Sequence, residues 1–357
     1  MSTGELVKHY NYVLPDTTPG FINSVVYPAI YSERATGNNE RFGVSEKLQF
    51  FYESVNLLVF NGLISEIQTC SDIHTQRVNQ GDSTKSTDQI LSTYNRKILH
   101  TLYTVPLASI DLMTAESGVS SLAELRSVPD FENKIHAVML HDIARFEQYL
   151  ETEAFNDSIY DHGVKGGEKS RKVMLGDNAR TSPFDFTEMM KVTEAVTYHN
   201  LEIIPEGVID PELCEFVRNA DKLALSREWL ENGQFQVIKD NDRLQSGPVS
   251  SIVLGKFMRG ERINHKDCIS KMDKLVNRLA WLYDISSPAG LELMESEGHI
   301  NNVFDGMLDL ISNIEGVDEE FLTYQMRILD QIKYRIDSYL KRPAKPKAER
   351  QSIYFMN

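Results

Sequence analysis

Over long stretches of this chain apolar side chains recur three and four residues apart, and that period limits what the chain can become. Phe50, Phe51, Val55, Leu58, Val59, Leu63 and Ile64 form one such stripe. Phe321, Met326, Ile328, Leu329, Ile332, Ile336 and Leu340 form another. Helical residues at this spacing share a face, so each stripe reads as the buried side of a helix. Few segments alternate with period two and no fixed repeat is present, so the fold class is all-α. Helices are expected over 45–70, from about Asp88 to Met113, from near Ser120, and over 131–152, Thr187 to Tyr198, Glu212 to Leu230, 266–284, 289–297, 300–314 and 317–341. Ser45 can cap the first. Pro106 should break or kink the second near Thr104, because it has no N–H and crowds the preceding turn. The polar run Asn79 to Thr87 reads as a loop. So does Gly163-Val164-Lys165-Gly166-Gly167, which lacks the Walker spacing for phosphate.

Before this helical body, residues 1–44 show no sustained period and are punctuated by Pro15, Gly20, Pro28 and Gly37. Tyr10, Tyr12, Phe21, Val25, Val26 and Tyr27 make them too apolar for a free tail, so they read as an extended arm packed on the body. The body divides into a helical domain over 45–300 and further helices over 301–341. A basic tail over 342–357 follows, kept out of helix by Pro343 and Pro346. The arm and the later helices offer a surface for a homodimer or another partner.

Charge narrows the functional classes. Lys and Arg number 37 against 52 Asp and Glu, a formal net charge of −15, which argues against non-specific nucleic-acid binding. No apolar run reaches the roughly 18 residues of a membrane span. The start, Met1-Ser2-Thr3-Gly4-Glu5, has no basic region leading into an apolar core. Cys70, Cys214 and Cys268 are far apart and form no Cys-x-x-Cys, which fits a reducing compartment and a cytoplasmic protein.

One run stands out chemically. His141-Asp142 directly follows the apolar segment Ala137-Val138-Met139-Leu140. A buried ionisable pair is costly unless compensated, and a metal ion is the usual compensation. Imidazole nitrogen and carboxylate oxygen both suit a divalent metal. Further ligands of the right type are His100, His162, His199 and Asp221, all within helices or near their ends. Arg145 lies four residues after His141 and three after Asp142, on their helix face. It is a candidate phosphate contact, with a salt bridge to a nearby acid as the alternative. Lys165 and Lys222 are weaker candidates. His74, His136, His265 and His299 lack partners at ligand spacing.

This ordered set, a His, a His-Asp doublet and a distant Asp, resembles the HD-domain superfamily of metal-dependent phosphohydrolases. The matching residues are His100, His141, Asp142 and Asp221. The run Leu140-His141-Asp142-Ile143-Ala144-Arg145-Phe146-Glu147-Gln148-Tyr149 is similar to a bacterial branch of that superfamily. So are Phe155-Asn156-Asp157-Ser158, Tyr198-His199-Asn200 and Leu279-Ala280-Trp281-Leu282-Tyr283-Asp284. The resemblance covers roughly residues 90 to 300. Ala144 stands where close relatives carry Gly. The resemblance implies an HD-type helical bundle and one or two divalent ions per chain, with Mn, Fe, Mg, Co, Ni and Zn not distinguished. His100, His141, Asp142 and Asp221 would be ligands, and His162 and His199 would serve a second ion. Asp142 and Arg145 would act on a small phosphorylated substrate, a nucleotide being the leading class.

The signatures of named subclasses are absent. Arg145-Phe146 stands where hydrolases of the stringent-response nucleotide carry Glu-Asp. The His- and Gly-rich extension of the deoxynucleoside triphosphohydrolases is missing. Asn200-Leu201-Glu202 follows His199 where cyclic di-GMP phosphodiesterases carry Gly-Tyr-Pro. Two other readings are compatible with the same ligands: an HD-fold di-iron oxygenase, and a non-catalytic nucleotide-sensing or interaction protein.

Overall fold

The structure, a computed structural model, describes residues 43–155, 157, 159–176, 182–201, 203–231, 244, 247–313 and 319–341. The expected arm lies outside the described residues up to position 42, as does the expected basic tail over 342–357. Among the described residues the chain is all-α, with no strand. They group into two compact units, divided between Ala224 and Leu225, within the helix Pro211–Glu231.

In the first unit, α1 (Val44–Ser54) and α2 (Leu57–Gln80) replace the single helix expected over 45–70. Ser45 falls inside the first turn, and Gly43 takes the cap position. The break is made at Val55, which is extended, and at Asn56, whose Oδ1 accepts the Leu58 N–H at 2.9 Å. Gly81 ends α2 with φ of 79°, the left-handed conformation that glycine adopts without cost. A capping box of Ser86 and Gln89 then starts α3 (Thr87–Leu99).

Pro106 does not end this helix. A π turn at His100–Thr104 carries α3 into α4 (Val105–Ser117), with the Val105 N–H donating back to the His100 carbonyl. The wider turn absorbs the proline, which supplies no N–H of its own.

A short α5 (Leu122–Leu125) leads to α6 (Phe131–Leu140), α7 (Arg145–Thr152), α8 (His162–Leu175), α9 (Phe186–Tyr198) and α10 (Pro211–Glu231). Helix α6 is the centre of the unit and packs against α1, α2, α4 and α9. It is apolar on nearly every side, with Ile135, Ala137, Val138, Met139 and Leu140 all buried, as a helix enclosed by others must be.

The second unit holds α11 (Ser251–Arg259), α12 (Lys271–Leu279), α13 (Pro288–Ser296), α14 (His299–Ser312) and α15 (Glu319–Leu340). Helix α12 packs on α11 and α14, and α15 packs on the same two helices. The stripe Ile328, Leu329, Ile332 and Ile336 is buried in this core. Met326 is exposed instead, because it lies two residues from Ile328 and so about 200° round the helix. Cys70, Cys214 and Cys268 are buried free thiols. No helix of the described residues is long and apolar enough to cross a membrane.

Candidate metal centre

At Leu140 the central helix gives way to a tight turn. Ile143 N–H donates to the Leu140 carbonyl at 3.0 Å, and Arg145 N–H to that of Asp142 at 2.9 Å. His141 and Asp142 therefore lie at a helix end, not along a helix over 131–152. The His141 ring helps to close that end, its Nδ1 meeting the Val138 carbonyl at 2.7 Å. A continuing helix would give that acceptor to the next turn. With the Nδ1 hydrogen so used, Nε2 carries a lone pair directed away from the helix.

His199 repeats the device at the end of α9, its Nδ1 meeting the Val196 carbonyl at 2.7 Å. His162 opens α8, and its Nδ1 meets Asp157 Oδ1 at 2.6 Å. Three imidazoles thus share one tautomer, assigned from their hydrogen-bond partners, with Nε2 as the free ligand atom.

These nitrogens and two carboxylates form two adjacent buried groups: His100, His141, Asp142 and Asp221, and Asp142, His162 and His199. In the first, His100 Nε2 lies 3.1 Å from Asp221 Oδ1 and 3.4 Å from Asp142 Oδ2. His141 Nε2 lies 3.1 Å from Asp142 Oδ2 and 3.9 Å from Asp221 Oδ1. In the second, His162 Nε2 lies 3.1 Å from His199 Nε2 and 3.6 Å from Asp142 Oδ1. Ligand bonds of 2.0–2.2 Å put neighbouring ligand atoms roughly 3 to 4 Å apart, so the spacing suits a divalent ion in each group. Asp142 belongs to both, one oxygen to each.

The donor set also suits a cation. His141 Nε2 is buried and has no hydrogen-bond donor, so its lone pair faces the Asp142 carboxylate. His162 and His199 bring two lone pairs face to face. Burial and the neighbouring His162 and His141 push His199 well below the usual imidazole range, and burial lowers His162 as well. Burial alone would raise the Asp142 carboxyl, but the Lys97 ammonium beside it holds it well below the usual carboxylate range. Lys222 and His100 do the same for Asp221. Neutral imidazoles and ionised carboxylates are the metal-binding forms.

Glycine sets the distance between α8 and α9. A Cβ on Gly163 would sit 2.5 Å from the Thr197 carbonyl oxygen, and one on Gly166 3.0 Å from Val196 Cγ1. The Gly163–Gly167 segment is thus the first turns of a closely packed helix, not the loop expected from its composition. This close approach brings His162 to His199.

The candidate cations are distributed unevenly. Arg145 NH1 binds Asp157 Oδ1 at 2.8 Å and Gln148 Oε1 at 2.7 Å, while its Nε lies 3.5 Å from Asp142 Oδ1. Lys222 Nζ reaches Asp221 Oδ2 at 3.1 Å. Lys165 is exposed and pairs with Glu168, outside the site. Two residues here were not anticipated from sequence. Lys97 contacts Asp142 Oδ2, and its position three residues before His100 is the signal that could have found it. Asp157 orients His162 and Arg145 together. Burial would raise its carboxyl, yet the bond from His162 and the charge of Arg145 hold it well below the usual range. No protein-family model matches this chain, and no curated protein or solved structure shows significant similarity to it.

Proposed function

We propose that the chain is an HD-type metal-dependent phosphohydrolase acting on a nucleotide or another small phosphoester. The observation that carries this reading is the pair of buried His/Asp groups joined through Asp142. His100, His141, Asp142 and Asp221 would hold one divalent ion, and Asp142, His162 and His199 a second. When bound, such an ion acidifies water and polarises a phosphoryl oxygen. The chain's own residues supply the rest. Asp142 spans the two groups, the buried imidazoles keep solvent from the ligand atoms, and Arg145 and Lys97 bring positive charge to the place where phosphoryl oxygens gain negative charge. The order His100, His141-Asp142, Asp221 in an all-helical chain supports the HD assignment.

The first test is metal content per chain for wild type and His162→Ala, purified without chelator or affinity histidines. Two ions in wild type and one in the variant are expected. Hydrolysis of p-nitrophenyl phosphate, bis-p-nitrophenyl phosphate and a nucleotide panel is then measured with Mn²⁺, Mg²⁺ or Fe²⁺. Asp142→Ala should retain the helical fold and lose activity to background. A fully active Asp142→Ala protein would sink the assignment.

A further inference from the structure

We propose that Lys97 is an exchangeable counter-ion: it neutralises Asp142 until a divalent cation takes that carboxylate, and its released ammonium then anchors a phosphoryl group. This inference rests on the metal reading above. Lys97 projects from α3 one turn before His100, and its Nζ contacts Asp142 Oδ2. That same oxygen lies 3.1 Å from His141 Nε2 and 3.4 Å from His100 Nε2. Two imidazole nitrogens and an ammonium thus converge on one carboxylate oxygen. A divalent ion seated between those nitrogens and Oδ2 repels the ammonium, which must yield the oxygen.

Charge balance says what the displaced ammonium then meets. Three carboxylates, Asp142, Asp221 and Asp157, are paired with three cations, Lys97, Lys222 and Arg145. The set is neutral as it stands, so each divalent ion adds two uncompensated positive charges to a largely buried site. Such an excess is relieved by an anion, and a phosphoryl group carries up to two negative charges. The layout agrees. The Lys97 side chain is 16% exposed and that of His141 0%, so the lysine, unlike that imidazole, has access to solvent. Arg145 is less available for this role, being held by both Asp157 and Gln148.

The test uses the full chain, Mn²⁺ and inorganic phosphate. Calorimetry of Lys97→Met should show Mn²⁺ affinity equal to wild type or several-fold tighter, because a competing cation is gone. Phosphate affinity of the Mn²⁺-loaded variant should fall at least tenfold, with Lys97→Arg restoring most of it. Phosphate binding at the wild-type level by Lys97→Met overturns the proposal. So does loss of Mn²⁺ binding by a folded Lys97→Met, which would make Lys97 a support of the ligand set. A second measurement needs no variant: acylation of Lys97 in the wild-type protein, followed by mass spectrometry. Labelling should rise when Mn²⁺ is added and fall again with phosphate, and labelling indifferent to both rejects the exchange. A wild-type chain that takes up no Mn²⁺ would instead overturn the metal reading itself, an outcome separate from either Lys97 result.

Discussion

The Tyr52 hydroxyl donates to the carbonyl of Leu102, 50 residues further along the chain. Leu102 lies four residues before Pro106, so its carbonyl is the acceptor that a non-proline residue at 106 would fill in a regular helix. Tyr52 replaces the hydrogen bond that proline cannot make, beside the π turn that begins at His100. Tyr52→Phe should therefore destabilise the fold by about 1–3 kcal/mol, the cost of an unsatisfied buried acceptor. In a Pro106→Ala background the same change should cost less, since the new N–H can turn to Leu102. Urea titrations of the four proteins in this cycle measure the coupling, and strictly additive losses would refute the link.

Asp157 lies outside both ligand groups yet fixes one of their members. It holds the His162 ring through Nδ1 and the Arg145 guanidinium through the same oxygen. Removing such an outer carboxylate lowers metal affinity by about 10- to 100-fold. In Asp157→Ala the weaker of two Mn²⁺ binding events should drop by that amount while the other changes little. Calorimetry showing both events unaltered would mean that His162 keeps its orientation without Asp157.

The spacing of α8 and α9 can be tested with one methyl group. Gly163→Ala puts a Cβ against the Thr197 carbonyl, a backbone atom that can move only with its helix. A loss of about 1–3 kcal/mol is expected, typical of overpacking. His162 and His199 should separate, with loss of the second ion. Gly43→Ala, where a Cβ meets nothing within 4 Å, serves as the control. Equal melting temperatures for the two variants would show that the close approach of the helices does not depend on a bare Gly163.

Acid should weaken the first unit through His136. This side chain is buried, its Nε2 accepts the Asn56 N–H at 3.2 Å, and burial lowers its pKa to about 4. The unfolded chain has an ordinary histidine there, near 6.5. Above pH 6.5 neither state carries the proton and the histidine costs nothing. As pH falls from 6.5 to 4 the unfolded state takes up a proton that the folded state refuses, so stability drops. By pH 4 the loss is roughly 3 kcal/mol. His136→Gln should flatten this part of the stability profile in denaturant titrations between pH 7 and 4. A profile as steep as wild type would place the acid sensitivity elsewhere.

Much of this arrangement is legible in the sequence because it depends on residue type and order. The apolar period gives helices such as α9, α10 and α15 close to their observed bounds. The types and order of His100, His141, Asp142, His162, His199 and Asp221 pick out side chains that the fold gathers into two groups. What is not legible depends on partners distant in sequence. Nothing in Ile143 or Ala144 forbids helix, yet the chain turns there. Pro106 reads as a break or a kink, because the sequence does not reveal that Tyr52 will serve the stranded carbonyl. Gly163, Gly166 and Gly167 look like a loop because glycine weakens an isolated helix, whereas here its missing side chain makes room for α9. Lys97 and Asp157 are ordinary polar residues until the fold sets them against Asp142 and His162.

His141 and His199 each close the end of a helix with one ring nitrogen and offer the other to the site. Each therefore has two separable jobs. An alanine in either place removes a helix cap along with a candidate ligand, so lost metal binding in such a variant cannot be assigned to coordination alone. Asparagine, whose amide can still reach the carbonyl three residues back, is the more informative replacement. The same duality bears on descent. A chain that held no metal here would still gain from keeping both histidines, since its helices would need ending. Their presence in a related chain would mark a shared architecture, and only the other members of the two groups would tell whether a metal site comes with it.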